Sequence, residues 1–271
     1  MRLTPLPRQL LLTVVTVAAL APLTFMLLNS LKHPADYQSH PLGLPTSPTL
    51  DNYTRALIDL PTVRWALNSL VVTVVAVMAS SAMGALAAYA ITFGQFRGSK
   101  LLLSSSIGMI MVPPVVLLLP MFVVMVNLHL VNNLGSVILF YSCLLVPFSV
   151  FFLVNFFRSV PRELIEASVV DGAGPLRTLW SVVLPLSRPA LVTIGVVNAV
   201  WAWNELLVAL VFLQDENRRT LMAGLTLFQG RYATDQPLVL AVATLSIIPV
   251  AAFYLLTQRS FVRGLTAGMG K

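Results

Sequence analysis

The residues best placed to do chemistry fall in two short stretches, EASVVDGAG from Glu166 to Gly174 and WAWNE from Trp201 to Glu205. The first groups acids with glycines and runs on, past a polar stretch bearing Arg177, to VVLPLSRP, Val182 to Pro189. Its chemistry is that of docking, because an apolar stripe ringed by charge suits a partner surface. The second places a carboxylate among tryptophans. An acid in such surroundings serves a proton relay, a polar partner or a wet cavity, and an indole offers a ring of the kind that stacks on sugars. Trp201 lies one turn before Glu205 and shares its helical face, with Asn204 beside them. HExxH, a nucleophile elbow and paired intramembrane carboxylates are all missing, which argues against a membrane enzyme. GQFRGSK, Gly94 to Lys100, has a phosphate-binding look. A Walker A loop needs Gly, four residues, then Gly-Lys-Ser/Thr. Here the order is Gly-Ser-Lys, so the chain has no ATP site of its own.

The elements that hold these residues are oily. The chain is 57% hydrophobic and 10% charged, outside the range of soluble domains. A helix needs roughly 20 mostly apolar residues to cross a bilayer. Six runs meet or approach that length: Leu10–Leu31, Leu67–Phe93, Leu101–Val126, Leu134–Phe157, Ala190–Leu213 and Leu238–Leu256. Lipid leaves no partner for an open backbone, so the runs are expected to be helices, and they lack the alternation of a membrane barrel. The expected fold is an all-α integral membrane protein of six transmembrane helices in a single membrane domain, 1–271. Arg2 and Arg8 ahead of Ala19-Leu20-Ala21 resemble a cleavable signal peptide. The apolar run continues to Leu28, which favours a retained anchor.

Charge sets the orientation. With both termini cytoplasmic, the inner side holds eleven basic residues against three acids, and the outer loops hold six of each. The net charge of +7 is therefore a topology signal and does not imply nucleic acid. Cys143 is the single cysteine, and His33, His40 and His129 are scattered, so no metal site is expected.

Between the runs lie a proline-rich outer loop, Lys32 to Trp65, expected to be irregular; an inner loop of about 158–189; an outer loop of about 214–237; and an inner tail of about 257–271. In the inner loop, Pro161 opens a short helix, and Gly172 and Gly174 end it. A second helix, Pro175 to Val183, is expected to stop at Pro185. Pro113, Pro114 and Pro120 interrupt the third run and Pro147 the fourth. Ala76, Ser80, Gly84 and Ala88 form a face of small residues, open to packing within the subunit or on a partner.

The spacing of Glu166-Ala167-Ser168, three residues, Gly172, nine residues, then Val182-x-Leu184-Pro185 resembles the EAA signature of binding-protein-dependent ABC importer permeases. Ser168 stands where Ala is usual and Val182 where Ile is usual, while Asp171-Gly172-Ala173 follows the family pattern. The blocks around Trp203, Asn204 and Glu205, Thr220 to Leu225, and the tail Gly264-Leu265-Thr266-Ala267-Gly268 resemble the carbohydrate-uptake branch, closest to the smaller permease of maltose-type importers. The resemblance implies a type I importer permease fold in a bacterial or archaeal cytoplasmic membrane. It implies a second homologous permease, two ATPase subunits that use ATP and Mg, an extracytoplasmic solute-binding protein, and a sugar or sugar-like substrate. Glu166, Ala167, Ser168, Asp171, Gly172, Ala173, Val182, Leu184 and Pro185 would couple to the ATPases, and the Gly264–Gly268 tail would touch them. The outer loop, through Gly230, Arg231 and Thr234, would meet the binding protein. Trp201, Asn204 and Glu205 would line the sugar path or hold the permease interface. The rival is an ion-coupled secondary transporter or channel, for which one embedded acid is a thin proton relay.

Overall fold

The computed structural model describes residues 5–94, 96–229 and 235–267. Among these residues all regular structure is helical, because every backbone group in a lipid setting must be satisfied within its own segment. Four helices are long and apolar enough to cross a membrane. They are α1 (Pro5–Ser30), α4 (Thr62–Phe93), α7 (Leu134–Phe157) and α14 (Gln236–Ala267). Two bent pairs raise the number to six when each counts as one crossing. In the first, α5 (Ser99–Ile110) and α6 (Pro114–Asn127) meet at 101°. Pro113 sits at the break in extended geometry, since proline disfavours helix in the residue before it and lacks an N–H.

The second bent pair differs from the expected fifth run. The segment Pro175–Leu186 meets α11 (Arg188–Asn204) at 81°. The apolar run then breaks at Glu205, and α12 (Leu207–Phe212) follows as a separate helix. Pro120 and Pro147, expected to interrupt their spans, sit inside α6 and α7.

The bundle is built on α4 and α7, its most extensive helix pair. Ala76, Ser80, Gly84 and Ala88 are buried. A Cβ added at Gly84 would fall 2.5 Å from Ser149 Cβ on α7, so this small face serves packing inside the subunit. Close backbone approach of this kind is what membrane helices use in place of a hydrophobic driving force. Asn198 on α11 donates to Ser149 Oγ at 3.0 Å in the buried interior, tying a third helix to the pair. One core cluster, around Leu153, Phe157, Leu179, Val183 and Ile194, fills the end of the bundle that carries residues 158–187; we term this the proximal end. Two more clusters fill the middle and the distal end, one around Phe140, Tyr141 and Phe212 and one around Trp65, Trp203 and Phe228. Against this body, α1 packs along α14.

The distal loop 31–61 is more ordered than its prolines imply. It contains α2 (Pro34–Ser39) and α3 (Asp51–Ile58). Lys32 is 0% exposed, and its ammonium donates to the carbonyls of His40 and Gly43, both at 2.7 Å. A buried ammonium is costly unless its donors are taken. Here the loop folds over the cation, and Asn52 Nδ2 donates to the carbonyls of Ser30 and Lys32, each at 2.8 Å.

Candidate functional site

At the proximal end, α8 (Arg162–Val170) leads through a turn into α9 (Pro175–Thr178). Gly172 has φ +76°, the left-handed region that glycine enters without cost. Gly172 N donates to Val169 O and Ala173 N to Ser168 O, both at 2.9 Å. These two bonds make a Schellman turn, which satisfies the last carbonyls of α8. No atom lies within 4 Å of a Cβ built on Gly172, so conformation, and not crowding, requires the glycine.

The second short helix does not stop at Pro185. A π turn at Leu179–Val183 widens the chain, with Leu184 N bonded to Leu179 O. The helix continues as α10 (Leu184–Leu186) before the bend at Ser187. The wider turn relieves the clash between a proline ring and the preceding turn's carbonyl.

Of the candidate residues here, Glu166, Ala167, Asp171, Gly172 and Pro185 are exposed, whereas Ala173, Val182 and Leu184 are half-buried. Ser168 is buried. Its hydroxyl lies 2.7 Å from Ile165 O and 2.9 Å from Thr178 Oγ1. Leu179 and Val183 are fully buried among the side chains of the proximal core. The unit is thus fixed to the membrane helices while its outward face stays apolar, with Val170 86% and Trp180 69% exposed and Val169 and Leu176 beside them in sequence and equally uncovered. Large apolar side chains left uncovered on a unit of this kind suit a partner surface.

The second site lies where α11 breaks. Glu205 adopts extended geometry at φ −70° and ψ 128°. Its carboxylate accepts from Leu207 N at 2.9 Å and from Val208 N at 3.1 Å, closing the start of α12. Tyr141 on α7 donates its hydroxyl to Glu205 Oε2 at 2.5 Å. Trp201 packs edge-on against the Tyr141 ring, with centroids 5.4 Å apart. Glu205 therefore meets its partners inside this chain, at a break and not on a continuous helical face. Trp203 is buried and donates to Ser246 O, so it belongs to the core. Asn204 is exposed and donates to Val200 O at 2.7 Å. Tyr141 was the residue missed by sequence reasoning; a tyrosine within an apolar span was its only signal.

The distal loop 214–237 is stitched onto the bundle. Trp65 Nε1 donates to Glu216 O at 2.7 Å, Asn68 to the carbonyls of Asn217 and Arg219, and Leu221 N to Ser69 Oγ. Asn132, at φ 62°, accepts from Asp215 N. Arg55 and Asp235 form an ion pair at 2.8 Å. The candidates Gly230, Arg231 and Thr234 lie outside the described residues. In the tail, Gly264, Leu265, Thr266 and Ala267 continue α14 as helix, where a separate tail was expected; Gly268 lies outside the described residues.

A polytopic helical bundle with a docked two-helix unit at one end and stitched loops at the other defines a membrane permease component. The chain belongs to the family of binding-protein-dependent transport system inner membrane components, whose model matches residues 80–266. It is similar to the sulfoquinovosyl glycerol transport system permease protein SmoH of Agrobacterium fabrum, at 36% identity over 94% of this chain and 90% of that protein. It is also similar to the trehalose/maltose transport system permease protein MalG of Thermococcus litoralis, at 32% identity over 93% of this chain and 91% of that protein. Its fold matches a crystal structure of a bacterial ABC transporter involved in the import of the acidic polysaccharide alginate. That match has a TM-score of 0.82 at 27% identity, over 94% of this chain and 95% of the other. The chain is accordingly a multi-pass plasma-membrane permease component of a binding-protein-dependent ABC importer, a transport subunit and not an enzyme. The ion-coupled alternative is not favoured.

Proposed function

We propose that this chain imports a sugar or sugar-like solute by alternating access, with both termini cytoplasmic. In this reading it pairs with a second homologous permease above two ATPase subunits. They bind ATP and Mg and take up the α8–α9 unit, while the tail reaches between them. An extracytoplasmic binding protein delivers the solute onto the stitched loop 214–237. Closing of the ATPases moves a rigid two-helix unit and so biases a two-state membrane body.

The observation that carries the reading is the α8–α9 unit itself, anchored in the proximal core yet presenting Val170 and Trp180 uncovered. The sugar class rests on relatives whose names specify sulfoquinovosyl glycerol, trehalose/maltose and melibiose/raffinose/stachyose transport. Glu205 is read as a structural clasp beside the path, and Trp201 with Tyr141 as its aromatic wall. The test is uptake of a radiolabelled panel of maltose, trehalose, raffinose and a sulfoquinovosyl glycoside into proteoliposomes that contain the whole transporter and its binding protein. Uptake of one panel sugar that needs ATP and ignores ionophores is the expected result. Uptake that survives without ATP and collapses with ionophores would overturn it.

A further inference from the structure

Three hydrogen bonds join Asn132 to a short distant stretch, residues 212–218. Asn132 N donates to Phe212 O at 2.8 Å, Asp215 N donates to Asn132 Oδ1 at 2.8 Å, and Arg218 Nη1 donates to Asn132 O. The residue reaches them from φ +62°, in the left-handed region that asparagine tolerates through its short polar side chain. Its neighbour Asn133 caps α7 by accepting from Gly135 N, so the turn belongs to the distal start of α7. Phe212, the last residue of α12, packs edge-on against Phe140 of α7, with centroids 5.8 Å apart.

The short helix α12 is thereby held at both ends. Glu205 takes Leu207 N and Val208 N at its start, and Asn132 takes Phe212 O at its finish. Helix ends leave amides and carbonyls without internal partners, and a helix of six residues is far below the length that sustains itself. Its order therefore depends on these outside groups. The finish is tied to the outer loop through Asp215 and Arg218, and the start to Tyr141 through Glu205.

We propose that Asn132 is a positioning residue that ties the outer loop to α12, making α12 a strut through which a binding protein docked on residues 214–237 acts on the break at Glu205. This rests on the reading of that loop as the docking face of the binding protein. A load on the loop reaches Asn132 through Asp215 and Arg218, passes to Phe212 O, and arrives along the helix at the Glu205 carboxylate. A docked partner can then favour one state of the membrane body without touching its interior.

The test uses the whole transporter with its ATPase subunits in proteoliposomes. ATP hydrolysis is measured alone and with the binding protein plus the four-sugar panel of the uptake assay, and the readout is the ratio of the two rates. A merely structural role would lower both rates together and leave that ratio unchanged. Asn132→Val drives a β-branched residue out of the left-handed region, breaks all three bonds, and should cut the ratio about tenfold. Asn132→Asp keeps the acceptor and the backbone conformation, with the Arg218 guanidinium beside it, and should stay near wild type. Should Asn132→Val fail to assemble, Asn132→Gly takes its place. It keeps φ, loses only the bond from Asp215 N, and should cut the ratio about threefold. A wild-type ratio in the variant that assembles overturns the strut, and so does a ratio in Asn132→Asp as low as in that variant. Combining that variant with Glu205→Gln decides whether the two ends act as one. The combined drop should be no larger than that of the worse single variant, and drops that multiply overturn the strut. Failure of the binding protein to stimulate wild type with any panel sugar overturns instead the reading of loop 214–237 as its docking face.

Discussion

The turn at Gly172 and the break at Glu205 interrupt helices in opposite ways. At Gly172 the chain reverses by its own backbone: a left-handed glycine and two main-chain bonds close α8. At Glu205 a side chain does the closing, with its carboxylate on the start of α12 and on Tyr141, 64 residues earlier. The first arrangement is local and stays intact wherever the unit is carried, which suits a part that moves. The second is a clasp between distant segments and holds only while α7 and α11 keep their relation. A body that must present a fixed joint to one partner and a deformable interior to a solute has use for both.

The largest effect should come from undoing the clasp. Glu205→Leu leaves the Tyr141 hydroxyl and two α12 amides without an acceptor. At typical values for hydrogen bonds to a charged group, the loss is about 3 kcal/mol or more. Thermal unfolding of the purified protein in detergent should show it, with Glu205→Gln intermediate and Tyr141→Phe smaller, at about 1 kcal/mol. Equal melting of Glu205→Leu and wild type would mean that the break is held by packing alone.

The turn should respond more modestly and in a residue-specific way. Gly172→Val forces a β-branched residue to a positive φ, at a cost of about 1–2 kcal/mol, and should weaken ATPase retention in pull-down. Gly172→Asn should be nearly silent, because asparagine tolerates that region and open space surrounds the site. If Asn and Val weaken retention equally, the absence of a side chain is what matters there, and the conformational account is wrong.

The smallest effect belongs to the ion pair at the distal end. Arg55 and Asp235 are only partly shielded, so Asp235→Asn should cost less than about 1 kcal/mol and be masked by salt. Solute uptake measured at low and high ionic strength should separate it from the other two sites, which carry no such salt dependence.

The same contrast explains what could be read in the residues alone. Gly172 and the Pro113-Pro114 break are legible because glycine and proline act on their own backbone. The apolar runs are legible because the bilayer imposes their length, and Ala76, Ser80, Gly84 and Ala88 announce a close approach, though not to α7. The α11 break was hidden, since this glutamate accepts from the amides just after it while a tyrosine 64 residues earlier, which no local pattern announces, donates to the same carboxylate. Pro185 misled for a related reason: the π turn before it widens the chain enough for helix to continue. The loop 31–61 looked irregular because its order comes from one lysine that gathers distant carbonyls.

That lysine has a practical consequence. The chain has three lysines, Lys32, Lys100 and Lys271, and in the proposed orientation only Lys32 lies on the external side. Its amine is sealed from solvent. A membrane-impermeant amine reagent applied from outside should therefore leave the intact protein unmodified and tag it only when the loop opens. The protein thus carries a built-in chemical reporter of the integrity of its outer surface.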